Sequence, residues 1–285
     1  MIRSETARAY LLLSPVIVTV ILGLAGCLAL LAVASFGTQN YLDFDFGFSF
    51  ASYERLIESA GVHKLMIRSA AISAAVALLS VLLAFPVAYF VAFDVRRNRL
   101  LWLILLTLPS WISYLLRVLS WKLILGYKGV VNSALVGAGV TSEPLEFLLY
   151  NPTSVAIALA HAWAPFAILP IYVSLQRMDR SLVQMAGDLG DGPLRSFLRV
   201  TLPLSLPGVF AAFVLIFIPT FGDYVTPQLI GGPDGVMIGV FIAMQFGASN
   251  NVPLGGALSI ATMLVASLIA CLFVLGSRRL VRAFR

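Results

Sequence analysis

Gln184-Met185-Ala186-Gly187-Asp188-Leu189-Gly190-Asp191, followed by Phe197-Leu198-Arg199-Val200-Thr201-Leu202-Pro203-Leu204-Ser205-Leu206-Pro207-Gly208, is a polar, charged stretch wedged between two long apolar runs and closed by prolines. Ser181 to Asp188 is long enough for two helical turns. Gly190 is placed to end them, because glycine is favoured just past a helix end. Leu182, Met185 and Leu189 recur at i, i+3 and i+7 and give one apolar stripe. In an ordinary domain that stripe packs on its own core. Here the neighbouring runs leave it little to pack on, and a groove on another protein is the expected mate.

Working outward, the composition rules out a soluble chain. Of 285 residues 60% are apolar and only 11% charged, against roughly 25% charged in globular proteins. Six apolar runs can each cross about 30 Å of hydrocarbon as a helix: Tyr10 to Ser35, Ser69 to Phe93, Leu100 to Leu125, Thr153 to Gln176, Leu206 to Leu229 and Pro253 to Gly276. The first is too long for the apolar core of a secretory signal, about 7–15 residues. The expected fold class is an all-α membrane protein with six transmembrane helices, a single domain over 1–285 with a cytoplasmic loop at about 177–201.

The net charge of +6 follows topology rather than nucleic-acid binding, since the arginines stand in small groups between apolar runs. One side holds thirteen basic residues: Arg3, Arg8, Arg96, Arg97, Arg99, Arg177, Arg180, Arg195, Arg199, Arg278, Arg279, Arg282 and Arg285. The other holds four: Arg55, Lys64, Arg68 and Lys128. Under the positive-inside rule both termini and the Arg177 to Thr201 loop are cytoplasmic. The outer loops are acidic, with Asp43, Asp45, Glu54, Glu58, Glu143, Glu146 and Asp234. They would attract a cation or a basic partner, or serve as plain solvated loops.

Several chemistries lack their residues. A phosphate-binding loop needs a lysine after glycine, and none of Lys64, Lys122 and Lys128 follows one. No nucleophile, base and orienting group form a set, so the chain is not read as an enzyme. With two histidines and Cys27 and Cys271 both inside apolar runs, a metal site has no support. The cysteines read as small packing residues.

At Gln184 to Gly208 the chain resembles the membrane subunit of an ATP-binding-cassette importer. The family signature there is Glu-Ala-Ala, a spaced glycine, then a hydrophobic-Leu-Pro. Ala186, Gly190 and Leu202-Pro203 match it in register, while Gln184 and Met185 replace the Glu and first Ala. Leu108-Pro109-Ser110-Trp111-Ile112-Ser113, Leu116-Arg117, Trp121 and Pro165-Phe166 resemble the spermidine/putrescine branch. So does Phe221-Gly222-Asp223-Tyr224-Val225-Thr226-Pro227, with Leu229-Ile230-Gly231-Gly232 after it. The similarity runs from about residue 50 to 270. It implies the type I permease fold, in a bacterial inner membrane, with a cytoplasmic coupling helix. It also implies a second homologous permease, two ATPase subunits that hold the ATP and magnesium, an external solute-binding protein and a small cationic solute. Another small amine or amino-acid-like solute stays open, as does a stand-alone secondary transporter.

The resemblance assigns Leu182, Gln184, Met185, Ala186, Asp188, Leu189 and Gly190 to coupling with the ATPase. Asp223 is the deepest carboxylate. Charge inside a span costs at least about 2.5–3.5 kcal/mol and needs a partner, a wet cavity or a cation. At about 1.5 Å per residue Asp223 and Arg117 reach the same depth, roughly 25 Å from the cytoplasmic edge. Two roles stay open: an Arg117–Asp223 ion pair, or a carboxylate facing the pore. Pro219, Gly222 and Pro227 should interrupt the helix there, which is tolerated only inside protein or beside water. Of the aromatics Trp111, Tyr114, Trp121, Trp163 and Tyr224, most are expected to pack or anchor. Tyr224 and Trp111 are preferred as faces for an ammonium group. His161 reads as a hydrogen-bonded packing residue.

Overall fold

Long helices made of apolar and small residues build almost all of this chain, here a computed structural model. The structure describes the backbone of residues 2–40 and 43–283. The side chains of 2–11, 40, 43, 44, 278 and 280–283 lie outside the described residues. So do residues 284 and 285, and with these go Arg3, Arg8, Arg278, Arg282, Arg285 and Asp43 of the charge pattern and Tyr10 of the first run.

The elements in order are α1 (Ile2–Ser35), the paired strands β1 (Thr38–Asn40) and β2 (Asp43–Asp45), α2 (Ala51–Glu58), α3 (Ala60–Phe93), α4 (Arg99–Thr107), α5 (Tyr114–Leu125), α6 (Val130–Gly137), α7 (Pro152–Gln176), α8 (Arg180–Asp188), α9 (Pro193–Ser196), α10 (Leu202–Phe221), α11 (Ile238–Phe246) and α12 (Val252–Ala283). Among the described residues five helical stretches are long and apolar enough to cross a membrane: Leu12–Ser35, Ala60–Phe93, Pro152–Gln176, Pro193–Phe221 and Val252–Ser277. A sixth crossing exists if a bent pair, Arg99–Trp111 with Tyr114–Gly137, counts as one.

That pair corrects the expected continuous span Leu100 to Leu125. The axis turns by 78° between its halves. Pro109 has no N–H for the helical ladder. The chain tightens into a 3-10 turn at Leu108–Trp111, then Ile112 and Ser113 go extended with ψ of 142° and 132°. The fifth span also shifts. Residues 193–201, expected in the loop, continue into α10 through a π-helical turn at Phe197–Thr201, and the helix stops at Phe221 rather than Leu229.

The chain divides into two compact units. One comprises residues up to Ala60 with Ile242–Met263. In it the backbone of β1 pairs antiparallel with β2, Thr38 opposite Asp45. The Gln39 side chain ties the start of α12 by accepting from Val252 N at 2.8 Å and donating to the Asn250 carbonyl. Phe36, Phe48 and Phe50 stack and cross at 4.8–5.5 Å. Most of α1 is exposed apolar surface, Leu22 and Leu30 included, as a lipid-facing helix requires. Cys27 is exposed on it, and Cys271 on α12, so neither is the packing residue expected.

The other unit spans Gly61–Phe241 with the rest of α12. Its core is the long contact of α7 with α10. Val155, Leu159, Ile171 and Leu175 are buried with Ile216, Phe217 and Phe221, and α3 adds Val76, Ala77, Ala84, Ala88 and Val91. Small residues let helices approach where lipid gives no hydrophobic drive. Hydroxyls join the elements: Ser80 donates to the Ala160 carbonyl at 3.2 Å, Ser154 to Ile230 at 2.8 Å, and Ser69 accepts from Ile238 N at 2.8 Å. Asn151 caps α7 by accepting from Thr153 N and Ser154 N, which satisfies amides that have no partner in the first turn.

Candidate functional site

Two places in the second unit carry chemistry. The first is α8, the short helix whose stripe opened the sequence reading. Asp179 is its N-cap and accepts from Ser181 N at 2.9 Å. That backbone amide, with the Ser181 hydroxyl second, holds the Asp179 carboxyl below the usual carboxylate range. Gly190 ends the helix at φ +89°. Its N–H reaches the Gly187 carbonyl at 2.9 Å and Asp191 N reaches Ala186 at 3.0 Å. This pair of bonds is the Schellman closure that favours glycine.

Both ends of α8 are tied to the rest of the unit. Arg180 donates to the Ala92 carbonyl at 2.6 Å and lies over the Phe93 ring at 5.3 Å. A cation there also meets the negative end of α3. Past the other end, Arg199 and Asp191 form an ion pair at 3.0 Å. Between these ties Ala186 turns inward and is buried, while Leu182, Met185 and Leu189 are 41%, 56% and 88% exposed. Gln184, Asp188 and Gly190 are exposed as well. The sequence reading found the stripe and the glycine. It counted Arg180 and Arg199 only as topology charges, because their partners lie far away or on another element.

The second place is the break after α10. Gly222 leaves helical geometry, Asp223 follows, and the chain re-enters a π-helical turn at Pro227–Gly231. Asp223 caps this turn: Oδ1 accepts from Val225 N and Oδ2 from Thr226 N, each at 3.3 Å. Oδ2 also accepts from the Tyr114 hydroxyl at 2.8 Å, and that hydroxyl meets Thr226 Oγ1 at 2.6 Å. Helix α11 presses on the break. A Cβ on Gly239 would lie 2.5 Å from the Gly222 carbonyl oxygen and 2.6 Å from that of Asp223, so only glycine fits.

The expected Arg117–Asp223 ion pair is not formed. Among the described residues the ion pair within 4.0 Å is Arg199–Asp191. The bend before α5 brings Tyr114, not Arg117, to the carboxylate, and Arg117 instead donates through Nη1 to the Ala162 carbonyl at 3.0 Å. Arg117 and Asp223 do share one cavity of ≈ 200 Å³ with Tyr114, Trp163, Ala162, Phe166 and Pro219. Of the expected aromatics, this brings in Tyr114 and Trp163. It leaves out the preferred pair: Trp111 is 81% exposed on the 3-10 turn and Tyr224 is half exposed, and neither lines the cavity. His161 accepts from Trp121 Nε1 at 3.2 Å. The signal for Tyr114 was present, since it stands three residues before Arg117 on one helix and shares its face. Asp223 followed by Thr226-Pro227 likewise reads as a cap.

The comparisons with known proteins agree with this architecture. The sequence pattern of the family described as "Binding-protein-dependent transport system inner membrane component" matches residues 15–285. The spermidine/putrescine transport system permease protein PotB of Escherichia coli is 31% identical over 233 residues, covering 82% of this chain and 84% of that protein. PotB of Haemophilus influenzae is 35% identical over 202 residues, 70% of each. The inner membrane ABC transporter permease protein YdcU of Escherichia coli is 32% identical over 217 residues, 72% of this chain and 69% of that one. Among solved structures, a chain of a bacterial ABC transporter involved in the import of the acidic polysaccharide alginate superposes with a TM-score of 0.71 at 19% identity, covering 98% of each. At that identity the likeness concerns the fold.

Proposed function

Because the chain belongs to the family of inner-membrane components of binding-protein-dependent transport systems, and is thus a permease subunit and not an enzyme, we propose that it forms half of the pore of an importer for a small cationic solute of the polyamine type. A second homologous permease forms the other half. Two ATPase subunits dock from the cytoplasm and bind the ATP and magnesium that drive transport, and an external binding protein delivers the solute. The termini and α8 face the cytoplasm.

The observation that carries this reading is α8. A helix with three exposed apolar side chains, fixed at both ends by Arg180 and by Arg199–Asp191, is a rigid contact and not a loose loop. Leu182, Met185 and Leu189 would enter a groove on the ATPase in the helix-in-groove mode. Gln184 and Asp188 would flank it, with Ala186 and Gly190 setting its seat and its end. Motion of the ATPase would then reach α3 and α10 through the two ties. A stand-alone transporter leaves this stripe without a purpose.

The polyamine reading rests on the PotB relatives and on Asp223. Three donors already occupy that carboxylate, so it acts on a passing ammonium through its charge. Tyr114 and Trp163 lie beside it. Trp111 and Tyr224 offer open aromatic faces to a cation along the same route.

The test is a cysteine at Met185 in the complex purified through this subunit. Cross-linking to a co-purifying ATPase, with ATP hydrolysis stimulated by the polyamine-loaded binding protein, is expected. A complex that lacks an ATPase, or whose hydrolysis ignores polyamines, would overturn the coupling or the solute reading respectively.

A further inference from the structure

Two side chains on the Asp223 cavity carry N–H groups that the fold leaves unused. Arg117 Nε and Trp163 Nε1 are both buried and find no hydrogen-bond acceptor among the described residues. Both residues line the same ≈ 200 Å³ space. The guanidinium is held there by Nη1 on the Ala162 carbonyl and by the Tyr114 ring 5.9 Å from its centre. It also borders a second space of ≈ 180 Å³ with His161, but Trp163 borders only the first.

The one carboxylate on the cavity does not answer these donors. Asp223 accepts from Tyr114, Val225 and Thr226 and makes no ion pair with Arg117 within 4.0 Å. The cavity thus has a satisfied acceptor on one wall and unsatisfied donors on another, one of them on a permanently charged group. A buried donor left unmade is costly, more so on a charged group. By volume the space admits about six waters, enough for a small ion or the end of a solute.

We propose that this cavity is a binding site for a small hydrogen-bond-accepting anion, held between Arg117 Nε and Trp163 Nε1. The anion is either a free halide resident in the subunit or the carboxylate of an amine solute. Either one neutralises the guanidinium, which otherwise repels a cation moving past Asp223. A halide fits because it accepts from several directions and donates nothing. A solute carboxylate fits because its ammonium end can turn to the Asp223 side. The assignment concerns this chain's own donors and stands apart from which solute the importer carries.

The experiment uses the whole complex in detergent, free of solute and held in gluconate. Thermal unfolding is followed while bromide replaces gluconate at constant ionic strength. A saturable stabilisation is expected, and crystals grown in bromide should show anomalous signal between Arg117 Nε and Trp163 Nε1. Trp163→Phe keeps the ring and removes one donor, so half-saturation should shift upward about tenfold or more. If bromide has no effect but 4-aminobutyrate stabilises where 1,4-diaminobutane does not, the anion is the solute's carboxylate. The same Trp163→Phe shift must then appear with 4-aminobutyrate. No specific stabilisation by either ligand, or an unchanged response in Trp163→Phe, overturns the site. Trp163→Phe also serves where Arg117→Gln fails to fold. Polyamine transport is not read in this assay, so its failure and that of the solute reading are separate.

Discussion

Helix α8 and the Asp223 break are both short departures from the long helices of one unit, and they are built in opposite ways. The helix α8 has its polar ends tied and its apolar face open. The break has its polar groups turned inward upon one another and little left open except two donors. An open apolar face asks for a protein, because burying it releases water. A closed polar cluster under hydrocarbon asks for nothing, unless its own accounting is incomplete, as at Arg117 and Trp163. The first region is a contact to another chain and the second a fixture of the pathway.

The contrast breaks most sharply if a charge on the stripe is harmless. Met185→Asp places a carboxylate where an apolar anchor worth about 1.5–3 kcal/mol would be buried. It should abolish recovery of the ATPase with this subunit while membrane insertion stays normal, as read by co-purification and membrane fractionation. Retention of the ATPase at wild-type yield would remove α8 from the contact.

The break should be sensitive to one atom. Tyr114→Phe removes the hydroxyl that bridges Asp223 and Thr226, a loss of about 1.5–3 kcal/mol for a bond to a charged group. Thermal unfolding of the complex should fall accordingly, with ATPase docking unchanged. A melting temperature equal to wild type would mean that the backbone amides alone hold the carboxylate.

Gly190 separates two causes that the sequence could not. A Cβ there meets nothing within 4 Å, so a clash within the chain is excluded and the cost is the left-handed backbone, about 1–2 kcal/mol. Gly190→Ala and Gly190→Leu should therefore impair transport alike, and Gly190→Asn less. Transport lost only in the leucine variant would locate the clash on the docked partner.

The smallest effect concerns pH. The folded carboxyl of Asp179 titrates below its unfolded value. Its contribution is thus present above the unfolded pKa and lost as pH falls through the folded one, in the region below about pH 4. Amide exchange at Ser181 should speed up there in the wild type. It should stay flat in Asp179→Asn, which keeps an acceptor without a charge. Equal acid sensitivity in both would place the titrating group elsewhere.

The membrane class, the spans at Pro152–Gln176 and Val252–Ser277 and the coupling helix with its glycine stop were legible because each is a local property. Apolar length, helical period and a C-terminal glycine need no distant partner. The bend at Pro109 was visible as a proline, but not as a turn of 78°. Whether a proline ends, kinks or is absorbed by a helix depends on what the freed groups meet. The Arg117–Asp223 pairing failed for the same reason: depth counted along two straight helices assumes that both are straight.

The sequence by itself determined the solvent of this protein, its family and the open face of α8, since these follow from composition and from neighbours three or four residues apart. Only the tertiary structure decided that Tyr114 holds Asp223, that Arg180 and Arg199 brace α8, and that Arg117 and Trp163 keep unused donors on one cavity. Those facts join residues from separate helices. Which side chain reaches a buried carboxylate first depends on where the helices bend and how closely glycines such as Gly239 let them approach, and hydrogen bonds of 2.6–3.3 Å are sensitive to displacements that no spacing along the chain records.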